Sequence, residues 1–150
     1  MSKRIAAIRK CIITLLARRE HSIGELERKL SARGLEGEDV HAVIDKLRSE
    51  GLQSDERFTE AFVHSRIDRG YGPLRISQEL KQRGICNNLI SRYLYAEEND
   101  WWQRAGKIRE KRFGKAIPED IKDRAKQSRF LQSRGFGGEH IRQLFRAGDE

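Results

Sequence analysis

At 150 residues and 17.5 kDa, with 37% hydrophobic against 36% charged residues, the chain has apolar material for small local cores only, one under each group of elements. No apolar run approaches the roughly 20 residues of a membrane span, and the amino terminus lacks the apolar stretch and small-residue cleavage site of a signal peptide, so a soluble cytoplasmic protein is expected. A formal net charge of +8 and a pI near 9.8 favour acidic partners over basic ones.

Taken in chain order, apolar residues recur at helical spacing from the start. Ile5, Ile8, Ile12 and Leu15 predict a helix over 4–19. Ser22-x-x-Glu25 reads as a capping box that opens a second helix over 22–33, and Gly34 closes it. A third helix over 38–50 ends before Gly51, which stands between Leu47 and Leu52. Asp55 reads as the N-cap of a helix over 55–69, with Phe58, Ala61 and Phe62 on its apolar side. Pro73 suits the first turn of the next helix, 73–83, where its missing N–H costs nothing, and 87–97 follows. The last third reads as helices over 100–113, 118–134 with Pro118 in its first turn, and 138–147. No segment alternates as a strand would, so the chain is expected to be all-α with about nine helices.

Those helices repeat. Leu-x-x-Arg-Gly followed by an apolar residue occurs as Leu30/Arg33/Gly34/Leu35, Leu80/Arg83/Gly84/Ile85 and Leu131/Arg134/Gly135/Phe136, with the glycines 50 and 51 residues apart. At an offset of 50, Ile8, Ile12, Ile13 and Ala17 fall on Phe58, Phe62, Val63 and Ile67, and Leu26, Leu30, Val40 and Ile44 fall on Ile76, Leu80, Ile90 and Leu94. The third copy keeps the end of the pattern and has a diverged start. Such a period predicts three tandem three-helix repeats, 1–52, 53–98 and 99–150, forming an elongated, curved array. Within the motif, the glycine suits a left-handed residue just past a helix end, and the apolar residue after it packs back onto the leucine.

Chemistry-bearing constellations are sparse. Cys11 and Cys86 are isolated, Cys11 aligning with Ala61 as a small core residue, and His21, His41, His64 and His140 read as exposed or capping histidines. No catalytic, metal or cofactor site is expected. Gly70-Tyr71-Gly72-Pro73 is the nearest thing to a phosphate cradle, and it reads better as a linker in which Gly70 ends one helix and Pro73 begins the next. Charge is uneven: 11 basic and 8 acidic groups lie in 1–52, 7 and 8 in 53–100, and 13 and 7 in 101–150. The last third is therefore a basic region suited to polyanions, its alternative being a solvated helix face. Beside it, Trp101 and Trp102 cannot both face one helical core, so one is a contact residue or plugs the junction between repeats.

The chain resembles the RecX family, bacterial modulators of the RecA recombinase. The resemblance is carried by Asp55-Glu56-Arg57-Phe58, Phe62-Val63-x-x-Arg66-x-x-Arg69-Gly70-x-Gly72-Pro73, Ile76-x-x-Glu79-Leu80-x-x-Arg83-Gly84-Ile85 and Arg129-Phe130-Leu131-x-x-Arg134-Gly135-Phe136, and it covers about residues 5–147. It implies three tandem three-helix repeats and a monomeric, non-enzymatic regulator in DNA repair, recombination and the SOS response. Such a protein binds the RecA filament on single-stranded DNA, inhibits its ATPase, strand-exchange and coprotease activities and limits filament growth, with direct DNA contact as a further expectation. Contacts made by the long terminal extensions of some relatives are not expected of this sequence.

Candidate partner-binding residues are Arg19, Arg33, Arg66, Arg69, Arg83, Arg129 and Arg134, whose guanidinium forks suit carboxylates and phosphates, with Lys107, Arg109, Lys111 and Arg112 from the basic region. The alternative role of the arginines at helix ends is to complement the helix dipole, worth a few tenths to about one kcal/mol. Replacing Lys107, Arg109, Lys111 and Arg112 together with Ala is expected to weaken partner binding without unfolding the chain. A competing reading makes each repeat a helix-turn-helix-like pair on bare DNA, against which Glu36, Glu38 and Asp39 would place repulsive charge at the recognition helix of the first repeat.

Overall fold

The computed structural model describes residues 2–96 and 99–149. Among them are nine α-helices and no strand: α1 (Lys3–Arg18), α2 (Ile23–Ala32), α3 (Glu38–Ser49), α4 (Asp55–Asp68), α5 (Pro73–Gln82), α6 (Asn87–Leu94), α7 (Trp101–Phe113), α8 (Ile121–Ser133) and α9 (Gly138–Asp149).

The helix ends follow the local chemistry. Gly34, Gly51, Gly70, Gly84 and Gly135 all have φ between 79 and 99°. In each case the glycine N–H bonds the carbonyl three residues back and the next N–H bonds the carbonyl five back, as in Leu35 N to Leu30 O at 2.9 Å, Ile85 N to Leu80 O at 3.1 Å and Phe136 N to Leu131 O at 3.1 Å. This is the Schellman closure expected of the motif. Ile85 and Phe136 are buried after their glycines, and Leu35 packs at the edge of the core. Leu52 after Gly51 instead stands 47% exposed.

Several helix starts and stops differ from expectation by identifiable contacts. The Ser22 capping box is present. Helix α4 begins at Asp55 itself, and Ser54 caps it by accepting from Arg57 N at 3.1 Å. The Asp55 carboxylate is aimed elsewhere, accepting from Ile23 N in the first turn of α2 at 2.9 Å and from Gln53 Nε2 at 2.9 Å. Pro118 lies before α8, whose N-cap is Asp120, and its carbonyl accepts from Arg124 Nε at 2.9 Å. Helix α6 stops at Leu94 because side chains take its last carbonyls: Asn99 Nδ2 donates to Tyr93 O at 2.7 Å and Trp101 Nε1 to Leu94 O at 2.7 Å. The expected stop at Glu97 and the repeat boundary at Glu98 lie outside the described residues, as do Met1 and Glu150.

The chain forms two compact units, Met1–Phe62 with Leu80–Ile90, and Val63–Glu79 with Ser91–Glu150. In the first, α1 packs on α3 and α2 around Ile8, Ile12, Leu15, Leu26, Leu30, Val40, Val43, Ile44 and Leu47, each buried side chain contributing roughly 1.5–3 kcal/mol. Cys11 packs at the edge of this core. Ile13 is 39% exposed although its counterpart Val63 is buried beside Phe62, so the two equivalent helices do not bury the same faces. In the second unit α7 packs on α9 and α8, burying Trp101, Ala105, Leu131, Phe136, Ile141, Leu144 and Phe145.

The compact units do not coincide with the repeats, and two equivalent junctions explain the difference. In the first unit Ser22 Oγ donates to Arg83 O at 2.8 Å, and a Cβ on Gly24 would come within 2.6 Å of that oxygen. In the second unit Gly72 N donates to Arg134 O at 2.8 Å and Leu74 N to Gly135 O at 2.9 Å. Each time, the start of one repeat's middle helix docks on the Arg-Gly turn that ends the following repeat's middle helix. The end of α5 thereby joins the first unit and its start the second. Gly70 closing α4, Gly72 in contact and Pro73 opening α5 match the structural reading of that cluster.

Candidate functional site

The arginines proposed from sequence fall into two groups, those whose N–H edges are already taken and those whose edges are open. Arg19 forms a fork on Glu25, with distances of 3.0 and 3.1 Å, and also donates to Glu20 O at 2.8 Å. The same carboxylate lies 3.5 Å from Arg83 Nε, while the Arg83 guanidinium covers the Phe62 ring at 4.8 Å. Burial alone would raise the Glu25 pKa, but the Arg19 hydrogen bond, the Ser22 N–H and the Arg19 charge outweigh it and hold the group below its ordinary value. Arg66 is held by Glu79 at 2.9 Å, both side chains being less than a fifth exposed. Glu79 also takes Arg75 at 3.1 Å, and these two arginines overcome its burial and depress its pKa.

Arg109 overturns the surface reading of the basic region. It is 1% exposed, and its Nη1 donates to Ala116 O and Gln127 Oε1, and Nη2 to Lys115 O, all at 3.2 Å. The side chain pins the loop between α7 and α8 from inside. Position explains it: Trp101, Ala105 and Arg109 are four residues apart and share the buried stripe of α7, whereas Lys107 and Lys111 lie on the exposed face. Replacing Arg109 along with its neighbours would therefore perturb the fold, and Lys107, Lys111 and Arg112 form the informative set.

His21 is likewise not exposed, at 1%. Its Nδ1 lies 3.0 Å from Arg19 O and its Nε2 3.1 Å from Lys29 Nζ. The carbonyl requires Nδ1 to carry the proton and the ammonium donates to Nε2, so the contacts select the neutral imidazole. Burial lowers the pKa first, and the charges of Arg19 and Lys29 add to it.

Arginines held against aromatic rings gather in the second unit. The Arg75 guanidinium lies 3.9 Å over the Tyr71 ring, Arg134 lies 5.6 Å over the same ring and 5.3 Å over Phe130, and Arg112 lies 5.2 Å over Phe130. Phe113 meets Phe130 edge-on at 5.4 Å. Three cations and two rings thus form one connected series, each cation–ring contact worth roughly 0.5–1 kcal/mol at an exposed site. A ring holds a guanidinium by its face and leaves its N–H edge free. Among the described residues Arg112 and Arg134 have neither an ion pair nor a side-chain hydrogen bond, and Arg69 and Arg129 are exposed in the same condition. In the first unit Arg33 is exposed with Nη1 2.6 Å from Cys11 Sγ.

The junction builds this surface. The bonds from Gly72 and Leu74 to the Arg134–Gly135 turn bring Tyr71 under Arg134, and Phe130, one turn earlier on α8, faces Arg112 at the end of α7. Tyr71, Arg75 and Phe130 are absent from the candidates read out of the sequence. The available signal was aromatic residues interleaved with arginine, as in Arg129-Phe130 and Arg69-Gly70-Tyr71. Trp101 is buried under the end of α6, and Trp102 is half-buried.

Nine helices in tandem three-helix groups, among the described residues, define an all-α helical-repeat protein. Family models match in sequence order: the RecX first three-helix domain over residues 9–47, the second over 54–94 and the third over 98–145. The chain belongs to the RecX family. It is 45% identical to the regulatory protein RecX of Halorhodospira halophila over 96% of this chain and 89% of that one, and 42% identical to that of Pseudomonas entomophila over 95% and 92%. The crystal structure of RecX from Lactobacillus salivarius has the same fold, with a TM-score of 0.82 at 20% identity over 99% of both chains. Among the described residues no helix is long and apolar enough to cross a membrane.

Proposed function

We propose that this chain is a non-enzymatic, cytoplasmic regulator that acts as a monomer on the RecA filament assembled on single-stranded DNA, inhibiting its ATPase, strand-exchange and coprotease activities and limiting filament growth. The observation that carries the reading is the family match across all three domains, together with relatives named as regulatory proteins. The open-edged arginines support an anionic partner, since a guanidinium fork accepts phosphate or carboxylate oxygens in pairs. Many modest contacts spread over tandem domains suit a partner that is itself a repeating polymer. Against a helix-turn-helix protein acting on bare DNA, the first turn of α3 carries Glu38 and Asp39, of which Asp39 holds Arg4 at 3.2 Å.

The test is single-strand-dependent ATP hydrolysis by the cognate recombinase, titrated with this protein. Hydrolysis should fall at amounts well below the recombinase. Unaltered hydrolysis at equimolar protein overturns the reading.

A further inference from the structure

The two equivalent junctions differ in the residue that precedes the docked helix start. At the offset of 50 it is His21 ahead of Ser22 in the first and Tyr71 ahead of Gly72 in the second. Of these two side chains only the histidine ordinarily changes charge between about pH 5 and 8. We propose that His21 is a proton-operated latch: the neutral ring keeps the start of α2 docked on the Arg83–Gly84 turn, and the protonated ring releases it, while the junction at Gly72 stays closed. The device needs no recombinase and stands whatever the first repeat binds.

Three observations carry the assignment. First, the ring is 1% exposed and its two nitrogens are engaged as only the neutral form allows, Nδ1 donating to Arg19 O at 3.0 Å and Nε2 accepting from Lys29 Nζ at 3.1 Å. A proton on Nε2 sets donor against donor and cation against cation there. Second, among the described residues each carboxylate near the ring already has partners of its own. The charged groups come from every surrounding element: Arg19 and Glu20 from the linker after α1, Glu25 and Lys29 from α2, Asp55 and Arg57 from α4, and Arg83 just after α5. Glu25 is held by Arg19 and Arg83, Glu20 by Arg57, and the Asp55 carboxylate accepts from Ile23 N and Gln53 Nε2. Burial first, then the Arg19 and Lys29 charges, hold the His21 pKa below its ordinary value against the Arg19 hydrogen bond and Glu25. Third, the ring is tied to the junction through its own main chain. The His21 carbonyl accepts from the buried Gln53 Nε2 at 3.2 Å, and the next residue, Ser22, is 0% exposed and donates to Arg83 O at 2.8 Å. A ring that leaves for water therefore pulls on both bonds.

The experiment follows amide hydrogen exchange of the full chain by NMR at about pH 7.5 and 5.5, expressed as protection factors so that the intrinsic pH dependence of exchange drops out. The Ile23 amide on Asp55 Oδ1 and the Gln53 side-chain amide on the His21 carbonyl report the first junction, and the Gly72 and Leu74 amides the second. The released ring takes up a proton near its ordinary 6.5 and the docked ring only at lower pH, so docking is complete above 6.5 and weakens as the pH falls beneath it. One pH unit below, this linkage can supply at most about tenfold, and a loss of about three- to tenfold in protection is expected at the first junction with none at the second. Glu25 keeps its charge in this window, its carboxyl being held below the ordinary 4.5. In His21→Gln the acid response should vanish. Equal protection at the two pH values, an equal loss at both junctions, or an undiminished loss in His21→Gln overturns the latch. Should His21→Gln unfold, Lys29→Met at the exposed partner decides: with the ammonium gone the docked ring accepts a proton more readily, so the loss should shrink, and a loss equal to that of the wild-type chain overturns the proposal.

Discussion

Gly72→Ala tests whether the junction between α5 and the Arg134–Gly135 turn organises the second unit. Gly72 has no positive φ, so alanine costs nothing in backbone conformation there, and by stiffening the unfolded chain would stabilise the protein by roughly 0.4–1 kcal/mol in open space. The space is not open. A Cβ would sit 2.5 Å from Gly135 C and 2.6 Å from Gly135 O and Phe136 N, all backbone atoms that cannot swing aside. Carbon atoms rest at about 3.5–4.0 Å, so the two segments must part by about 1 Å. That carries the bonds from Gly72 N to Arg134 O and Leu74 N to Gly135 O, now 2.8 and 2.9 Å, out of hydrogen-bonding range. Gly72 is buried, so its orphaned N–H costs about 1–3 kcal/mol, and the second bond about 0.5–1.5 more. A net loss of about 2–4 kcal/mol is expected. Gly34→Ala supplies the contrast: φ is +79° with nothing within 4 Å, so only the left-handed strain of about 1 kcal/mol applies. Urea unfolding followed by circular dichroism measures both, and fluorescence follows the unit carrying Gly72, because Trp101 and Trp102 lie in it. A loss below about 1 kcal/mol at Gly72, or equal losses at the two glycines, would refute the steric argument.

Arg109→Ala should cost about 2–4 kcal/mol, roughly 5–15 °C in Tm, because it opens a cavity and strands the Lys115 and Ala116 carbonyls, while Lys107→Ala and Lys111→Ala should stay within about 0.5 kcal/mol. A thermal melt that ranks Lys107→Ala with Arg109→Ala would contradict the buried placement. For His21 the folded protein favours the neutral ring, so the unfolded chain binds more protons below its ordinary value of 6.5. Stability is then full above that pH and declines as the pH falls beneath it. Urea midpoints should drop between about pH 7.5 and 5.5, and less steeply in His21→Gln; equal slopes would remove His21 from the account.

Helix ends were legible where they depend on residues within a turn of one another, a capping serine with its glutamate or a glycine four after a leucine, and not where a later side chain takes the last carbonyls, as Trp101 does at the end of α6. Side-chain roles were not legible, because they are settled by partners far along the chain. Asp55 reads locally as an N-cap and instead serves Ile23, and Arg109 reads as one of a run of surface cations until the helical stripe shared with Trp101 and Ala105 buries it. The repeated Leu-x-x-Arg-Gly unit shows the division most clearly. Its three arginine side chains do three different things: Arg33 is exposed beside Cys11 Sγ, Arg83 leans on Glu25 and Phe62, and Arg134 lies over Tyr71 and Phe130. The carbonyls of Arg83 and Arg134, by contrast, do one thing, accepting a hydrogen bond from the start of the preceding repeat's middle helix. Any residue offers a carbonyl, so that shared role leaves no trace at the arginine. It shows only where the approaching backbone needs room, at Gly24 in one junction and at Gly72 and Gly135 in the other. The junctions thus rest on main-chain carbonyls, met by the Ser22 hydroxyl in one and by backbone N–H groups in the other, and on missing side chains, which releases the arginine side chains from a common structural duty. In the second unit that release, together with Tyr71 delivered by the junction, sets the Arg134 guanidinium over Tyr71 and Phe130.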